Sequence, residues 1–287
     1  MKEISKFLKI FIYFISIIYF IYFFTSNPEI FYQLKSLKYS EILFLVLLRS
    51  HIFLLSALYL KEIISEFNIK ISFLESLDVS NNSNLLNYFT PFRGGAGYRA
   101  IYFKNKYNLN FKNFSKTLII YYLFTFIQCF VVFLICLINL NKFHYFFVIF
   151  ILLTFVASII FYRKNVFKND LKLIFKMNKV LLKVFVIQLS LFFSFTVNNY
   201  LIFKYLNIPL TLSSVFMLTS VGVFSTLLSL TPGSVGIREA FFVYLNDLTN
   251  LSTFEIMQHA LIDRSINIIL LVFYFMVLKI FVSNCKS

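Results

Sequence analysis

The chain has 287 residues, of which 60% are hydrophobic and only 14% charged, with a mean hydropathy of +0.82. Soluble domains carry about a quarter charged residues, so this composition excludes an ordinary soluble enzyme and points to an integral membrane protein. The formal net charge of +15 comes from bases placed between apolar runs, the pattern of positive-inside topology and contact with anionic lipid rather than of nucleic-acid binding.

A helix that crosses a bilayer needs about 20 mostly apolar residues. Such runs lie near 7–24, 42–60, 117–139, 143–162, 184–206, 210–230 and 254–282, which predicts seven clear spans. The first opens with Lys2, Lys6 and Lys9 and has no small-residue cleavage site, so it reads as a retained membrane helix rather than a removed signal. Arg49 and His51 sit inside the second run. An ionisable residue there usually faces the bundle interior and finds a partner; Glu239 and Asp263 are the candidates for Arg49, with snorkelling to the surface as the alternative. The connection after the second run carries Lys61, Lys70, Arg93, Arg99, Lys104, Lys106 and Lys112, and that after the fourth carries Arg163, Lys164, Lys168, Lys172, Lys176, Lys179 and Lys183. These stretches and the N-terminal bases fall on one side if the N-terminus is cytoplasmic. Lys164, Lys168, Lys172 and Lys176 recur every four residues, as on an amphipathic helix at the headgroup surface or in a solvated basic loop. Gln188, Asn198 and Asn199 in the fifth run read as helix-packing groups more than ligands. Asp263 and Arg264, neighbours in the last run, point in different directions on a helix.

Catalytic signatures are missing. Cys129 and Cys136 lie seven apart on an expected helix, roughly 10 Å along its axis and beyond disulfide reach. Cys285 stands in the tail, and His51, His144 and His259 are scattered without metal-site spacing. There is no nucleophile elbow or phosphate-binding P-loop. The expectation is a protein that is not an enzyme and has no metal or cofactor.

Two stretches break the apolar pattern: Thr90-Pro91-Phe92-Arg93-Gly94-Gly95-Ala96-Gly97-Tyr98-Arg99-Ala100 and Thr231-Pro232-Gly233-Ser234-Val235-Gly236-Ile237-Arg238-Glu239. Both contain Gly-x-x-Gly-x-Arg after Thr-Pro. The glycines lie 139 residues apart (94 and 233) and the threonines 141 (90 and 231). A shift of about 140 lays the first run on the fourth, the second on the fifth, the third on the seventh, and the moderately polar segment 66–88 on the sixth. The expected architecture is therefore one polytopic domain, 1–287, all-α and integral to the membrane. It has about 7–8 transmembrane helices in two repeats, about 1–140 and 141–287, with broken or re-entrant elements. Pro and Gly strip helical partners from the backbone, which at membrane depth is tolerated only against protein or a wet cavity. Amides freed at a helix start suit an anion, and the guanidinium forks of Arg93, Arg99 and Arg238 fit phosphate. The expected substrate-binding positions are Pro91, Arg93, Gly94, Gly97, Arg99, Pro232, Gly233, Gly236, Arg238 and Glu239. Arg49 and Asp263 are candidate intramembrane charge partners. The plain alternative is a pair of interfacial loops.

The motifs, their spacing and the closing helix resemble the flippase-like transmembrane family of lysylphosphatidylglycerol synthetases. Pro91-Phe92-Arg93-Gly94 through Arg99-Ala100 matches the family's first motif, and Pro232-Gly233-Ser234-Val235-Gly236-Ile237-Arg238-Glu239 its second, with Ser234 in place of a usual glycine. Arg264 matches an arginine in the last helix, which adds it to the expected substrate-binding set. The synthetases carry a soluble aminoacyl-transfer domain after the membrane part, and the chain stops at Ser287, so the resemblance implies a stand-alone member. It implies a flippase for a lipid with an anionic, phosphate-containing headgroup, either an anionic phospholipid or a polyisoprenyl-phosphate-linked lipid. Such a protein would sit in the cytoplasmic (inner) membrane, multi-pass, and serve envelope-lipid or lipid-linked glycan biogenesis. The alternatives are a membrane enzyme that modifies lipid headgroups, or a scaffold for a partner glycosyltransferase or synthetase.

Overall fold

The computed structural model describes Thr25, Pro28 and residues 37–90, 94–139, 178–228, 231–234 and 236–284. The expected spans at 7–24 and 143–162, most of the basic segment 164–183, and Pro91 with Arg93 lie outside these residues. The described residues form helices and turns with no strand: the protein is an all-α membrane protein. The helices are α1 (Tyr39–Ser65), α2 (Phe73–Phe89), α3 (Gly94–Tyr107), α4 (Phe111–Asn139), α5 (Asn178–Tyr205), α6 (Leu212–Leu228), α7 (Ile237–Tyr244), α8 (Asn246–Thr249) and α9 (Thr253–Asn284), with a 3₁₀ turn at Pro232–Ser234.

Among the described residues, four segments are long and apolar enough to cross a bilayer: Tyr39–Ser65, Phe111–Ile138, Leu182–Tyr205 and Thr253–Leu278. Helices α2 and α6 have 17 residues each. At 1.5 Å per residue they reach about 26 Å, short of the ~30 Å hydrocarbon core. The described part of the apolar run at 210–230 is thus a helix shorter than a full crossing, and the weaker segment 66–88 holds one of equal length.

Local chemistry sets the helix ends. The Glu41 carboxylate accepts the Lys38 N–H at 2.8 Å where α1 begins. Ser72 Oγ accepts the Glu75 N–H at 3.1 Å to open α2, and Thr211 Oγ1 accepts the Ser214 N–H at 3.2 Å to open α6. Asn68 and Asn207, both at φ 58°, turn the chain out of α1 and α5; asparagine is one of the few residues that enters this left-handed region readily. Three features recur 139 residues on: the asparagines are at 68 and 207, the caps at 72 and 211, and α2 and α6 begin at 73 and 212. Beyond the two interruptions the interval is 142. Asn108 (φ 54°) precedes α4 at 111, and Asn250 (φ 55°) precedes α9 at 253.

Helix α1 packs against α2, α5 and α9, α4 packs against α6, and α3 folds back on α2. Leu45, Phe53, Ile202, Ile262, Ile266 and Leu271 fill the junction of α1, α5 and α9. Leu60, Ile64, Phe103 and Phe114 lie under the α2–α3 hairpin. The other face of α4 presents Ile119, Leu123, Ile127, Val131 and Ile135, all exposed and four residues apart, an apolar stripe suited to lipid.

The hairpin is closed at both ends. At its tip, a Cβ on Gly95 would lie 2.0 Å from the Ser83 carbonyl oxygen. Glycine lets α3 touch the α2 backbone there, and its N–H donates to Asn87 Oδ1 at 2.9 Å. At its base, Glu75 Oε1 accepts from Tyr102 Oη at 2.9 Å, Tyr107 Oη at 2.7 Å and Lys106 Nζ at 2.9 Å.

Candidate functional site: a cationic cavity between the two interruptions

The second interruption is built by backbone geometry that side chains disfavour. Gly233 (φ 59°) lies against the Tyr88 ring, and Gly236 (φ 83°) starts α7. The Gly236 N–H donates to Glu239 Oε2 at 2.8 Å, a carboxylate cap in the first turn of the helix. The other oxygen of Glu239 accepts Arg264 Nη2 at 2.6 Å, so a buried carboxylate and a buried guanidinium neutralise each other between α7 and α9. Arg238, next along α7, lies between the two acids: its Nε is 3.6 Å from Glu239 Oε1, and its Nη1 donates to Asp263 Oδ2 at 2.7 Å. Asp263 Oδ1 in turn accepts from Arg49 Nη2 and from Asn198 Nδ2 at 3.0 Å. One buried carboxylate on α9 therefore ties down α1, α5 and α7. A buried charge is tolerated only when paired and hydrogen-bonded in this way.

These groups border a cavity of about 360 Å³, near the lower end of the ~300–1,000 Å³ usual for small-molecule sites. Both interruptions reach it: Ala96 and Arg99 from α3, and Gly233, Ser234 and Arg238 from the second motif. Its charged lining is Arg49, Arg99, Arg238 and Asp263, three guanidinium groups against one carboxylate, a formal balance of +2. Asp263 is already shared by two of the arginines. Arg49 Nε and Arg238 Nη2 are buried and have no partner among the described residues, so donors remain for an acceptor from outside.

Of the positions expected from sequence, Arg99, Gly233 and Arg238 line the cavity together with Arg49 and Asp263. Gly94, Gly97, Pro232, Gly236, Glu239 and Arg264 are not among its lining residues. Gly94 sits against the Thr90 side chain and Gly97 faces open space, while Glu239 and Arg264 form the ion pair behind the wall. Pro91 and Arg93 lie outside the described residues. His51 is exposed and takes no part. Asn199 lines the cavity and donates to Thr219 Oγ1 at 2.9 Å, with His259 Nε2 3.1 Å from its Oδ1.

Sequence reasoning missed the contribution of α2: Ser83, Asn84, Asn87 and Tyr88 all face the cavity, and Asn267 Nδ2 donates to the Tyr88 hydroxyl. The signal was present. Ser76, Ser80, Ser83 and Asn87 recur at intervals of four, three and four, the period of one helix face.

The chain matches the lysylphosphatidylglycerol synthase TM region family over residues 7–274. It belongs to that family. No curated protein matches the chain. In this member of the lysylphosphatidylglycerol synthase TM region family, the matched segment contains every residue of the cavity and of the Glu239–Arg264 pair. Among the described residues no group of three or more His, Cys, Asp or Glu side chains is placed to hold a metal ion.

Proposed function

We propose that the protein is a flippase that carries a lipid with an anionic, phosphate-containing headgroup across the cytoplasmic membrane. The carrying observation is the charge imbalance of the cavity: Arg49, Arg99 and Arg238 face a single carboxylate. At an effective dielectric near 20, unit charges 4 Å apart interact by about 4 kcal/mol. A phosphate entering the cavity meets this cationic lining, where Arg49 Nε and Arg238 Nη2 have no partner among the described residues, and a guanidinium fork matches phosphate oxygens in shape as well as sign. The cavity's volume suits a headgroup, with the chains left in lipid. Membership of a lipid-related membrane family supports the same reading.

The halves 1–140 and 141–287 act as two repeats in this account, supported by the starts of α2 and α6 and the left-handed asparagines that recur at 139 residues. Discontinuous elements meeting between repeats are where transporters place substrate. The N-terminus is cytoplasmic by the distribution of Lys and Arg.

Arg238→Ala tests the reading. Asp263 keeps Arg49 and Asn198 as partners in this variant, so the fold survives. In vesicles with an acyl-labelled anionic phospholipid, transfer between leaflets should fall at least about tenfold, the equivalent of 1.4 kcal/mol. Undiminished transfer overturns the assignment. Mass analysis of the recovered lipid separates translocation, which leaves the mass unchanged, from headgroup modification.

A further inference from the structure

His259 of α9 is fully buried and takes no part in the ion pairs around the cavity. Its ring stacks on Phe203 with centroids 4.3 Å apart, and the Phe242 ring lies 6.1 Å away. The hydrogen bonds around it fix its tautomer. The Thr219 hydroxyl donates its one proton to the Val215 carbonyl at 2.8 Å, so its oxygen accepts from Asn199 Nδ2 at 2.9 Å. That turns Asn199 Oδ1, an acceptor, towards His259 Nε2 at 3.1 Å. Nε2 therefore carries a hydrogen, and Nδ1 of the neutral ring is a bare lone pair. It is buried and has no partner among the described residues.

The ring stands behind the cavity wall, where Asn199, Thr219 and Phe242 line the cavity itself. On α9, His259 comes one turn before Asp263 and shares its face, and Asp263 holds Arg49 and Arg238. The charged groups of this corner are thus Arg49 of α1, Arg238 of α7 and Asp263 of α9. Helices α5 and α6 contribute Phe203, Asn199 and Thr219, none of which titrates. Cys136 of α4 packs in the apolar cluster of Phe203 and Phe242, and Glu255, a turn earlier on α9, accepts from the Ser252 N–H and hydroxyl. Two guanidinium groups against one carboxylate disfavour a further positive charge at Nδ1 while the cavity is empty. An anion beside the arginines cancels that excess.

We propose that His259 is the proton site of the cavity: an anion bound among the arginines and a proton bound at Nδ1 stabilise each other, so that the lipid is carried together with a proton. The inference rests on the proposed translocation of anionic lipids and adds what travels with them. The proton comes from water and is held on the Nδ1 lone pair; no bond of the lipid is made or broken. Coupling between two bound species is reciprocal, so a proton that strengthens anion binding is itself taken up when the anion binds. Anion affinity therefore rises as pH falls through the range in which the ring titrates, by at most about tenfold per pH unit for one linked proton. A histidine that serves packing alone produces neither effect.

The test mixes the full chain, in detergent and weak buffer with a pH-indicator dye, with dihexanoylphosphatidylglycerol, a short-chain anionic lipid. Between about pH 5 and pH 8, where imidazole titrates, the wild type should take up as much as one proton for each lipid bound. His259→Gln keeps a donor for Asn199 Oδ1 and has no titratable nitrogen. It should bind the lipid without proton uptake. In vesicles, its transfer of acyl-labelled phosphatidylglycerol should lack the wild type's rise towards low pH. His51→Gln, at an exposed position of α1, should keep both behaviours. Wild-type binding with no uptake across this range overturns the proton site while leaving anion transport intact, and it needs no variant to fold. Uptake that persists in His259→Gln overturns the assignment to His259. Absence of both binding and transfer of phosphatidylglycerol in the wild type removes this inference and the function on which it rests.

Discussion

Asp263 and Arg264 stand side by side and do different work. Successive residues on a helix point about 100° apart, so Asp263 borders the cavity while Arg264 turns to Glu239. Two variants separate these roles. Asp263→Asn removes the carboxylate that pairs with buried Arg49 and leaves Arg238 with Glu239 alone, 3.6 Å away; removing one partner of a buried pair typically costs about 3–5 kcal/mol, and thermal melting of the purified protein in detergent should show it. Arg264→Ala takes from Glu239 its 2.6 Å partner and leaves it the Gly236 N–H and Arg238 at 3.6 Å; it should destabilise less than Asp263→Asn, and molecules that fold keep the cavity lining and so should keep anion transfer. A loss of transport in Arg264→Ala without any loss of stability would move Arg264 into the substrate site. The sequence left Arg49 either paired in the interior with Glu239 or Asp263, or snorkelling to the surface; the structure buries it against Asp263. The choice depends on which face of α9 meets α7, a tertiary fact that spacing along the chain does not carry.

The α2–α3 hairpin is where element-scale logic is most exposed. Gly95→Ala drives a methyl group into the Ser83 carbonyl. Backbone cannot yield as a side-chain tip does, so the two helices must part, at an overpacking cost of about 1–3 kcal/mol. Gly97→Ala meets open space and should be neutral or stabilising by up to about 1 kcal/mol. A melting series that ranks the two the other way contradicts this packing. The clasp at the hairpin base adds a pH dependence. Burial opposes ionisation of Glu75, but bonds from Lys106, Tyr107 and Tyr102 prevail and hold its carboxyl below the usual range. The same bond to Glu75 raises the Lys106 ammonium. For the lowered acid, the stabilisation is fully present above about pH 4.3 and disappears as pH falls through the lowered value. For the raised base, it is fully present below about pH 10.4 and disappears as pH rises through the raised value. Hydrogen exchange at the α3 amides should therefore stay slow across the neutral range and quicken at both extremes. Glu75→Gln should remove the acid limb. In the sequence, segment 66–88 was legible as a weak span between stronger ones. Its inward polar face escaped notice because mean hydropathy averages over the stripe that Ser76, Ser80, Ser83 and Asn87 draw.

At the scale of the whole molecule, the spacing of Gly94 and Gly233 proved to be one instance of a wider recurrence. The starts of α2 and α6, their caps and the left-handed asparagines follow the same interval, as do Arg99 and Arg238, which both line one cavity. The pairs Asn68/Asn207 and Asn108/Asn250 escaped the sequence reading, although asparagine at a helix boundary is a chemical reason for a turn. What the chain order could not disclose is which residues of each half line the cavity, because lining a cavity is a property of both halves assembled. The central claim is that this assembly discriminates headgroups by charge. The most direct measurement follows leaflet transfer of acyl-labelled phosphatidylglycerol and phosphatidylcholine side by side in vesicles containing the wild-type protein. The account predicts transfer of the anionic lipid at least about tenfold faster than the zwitterionic one; equal rates for the two would contradict it.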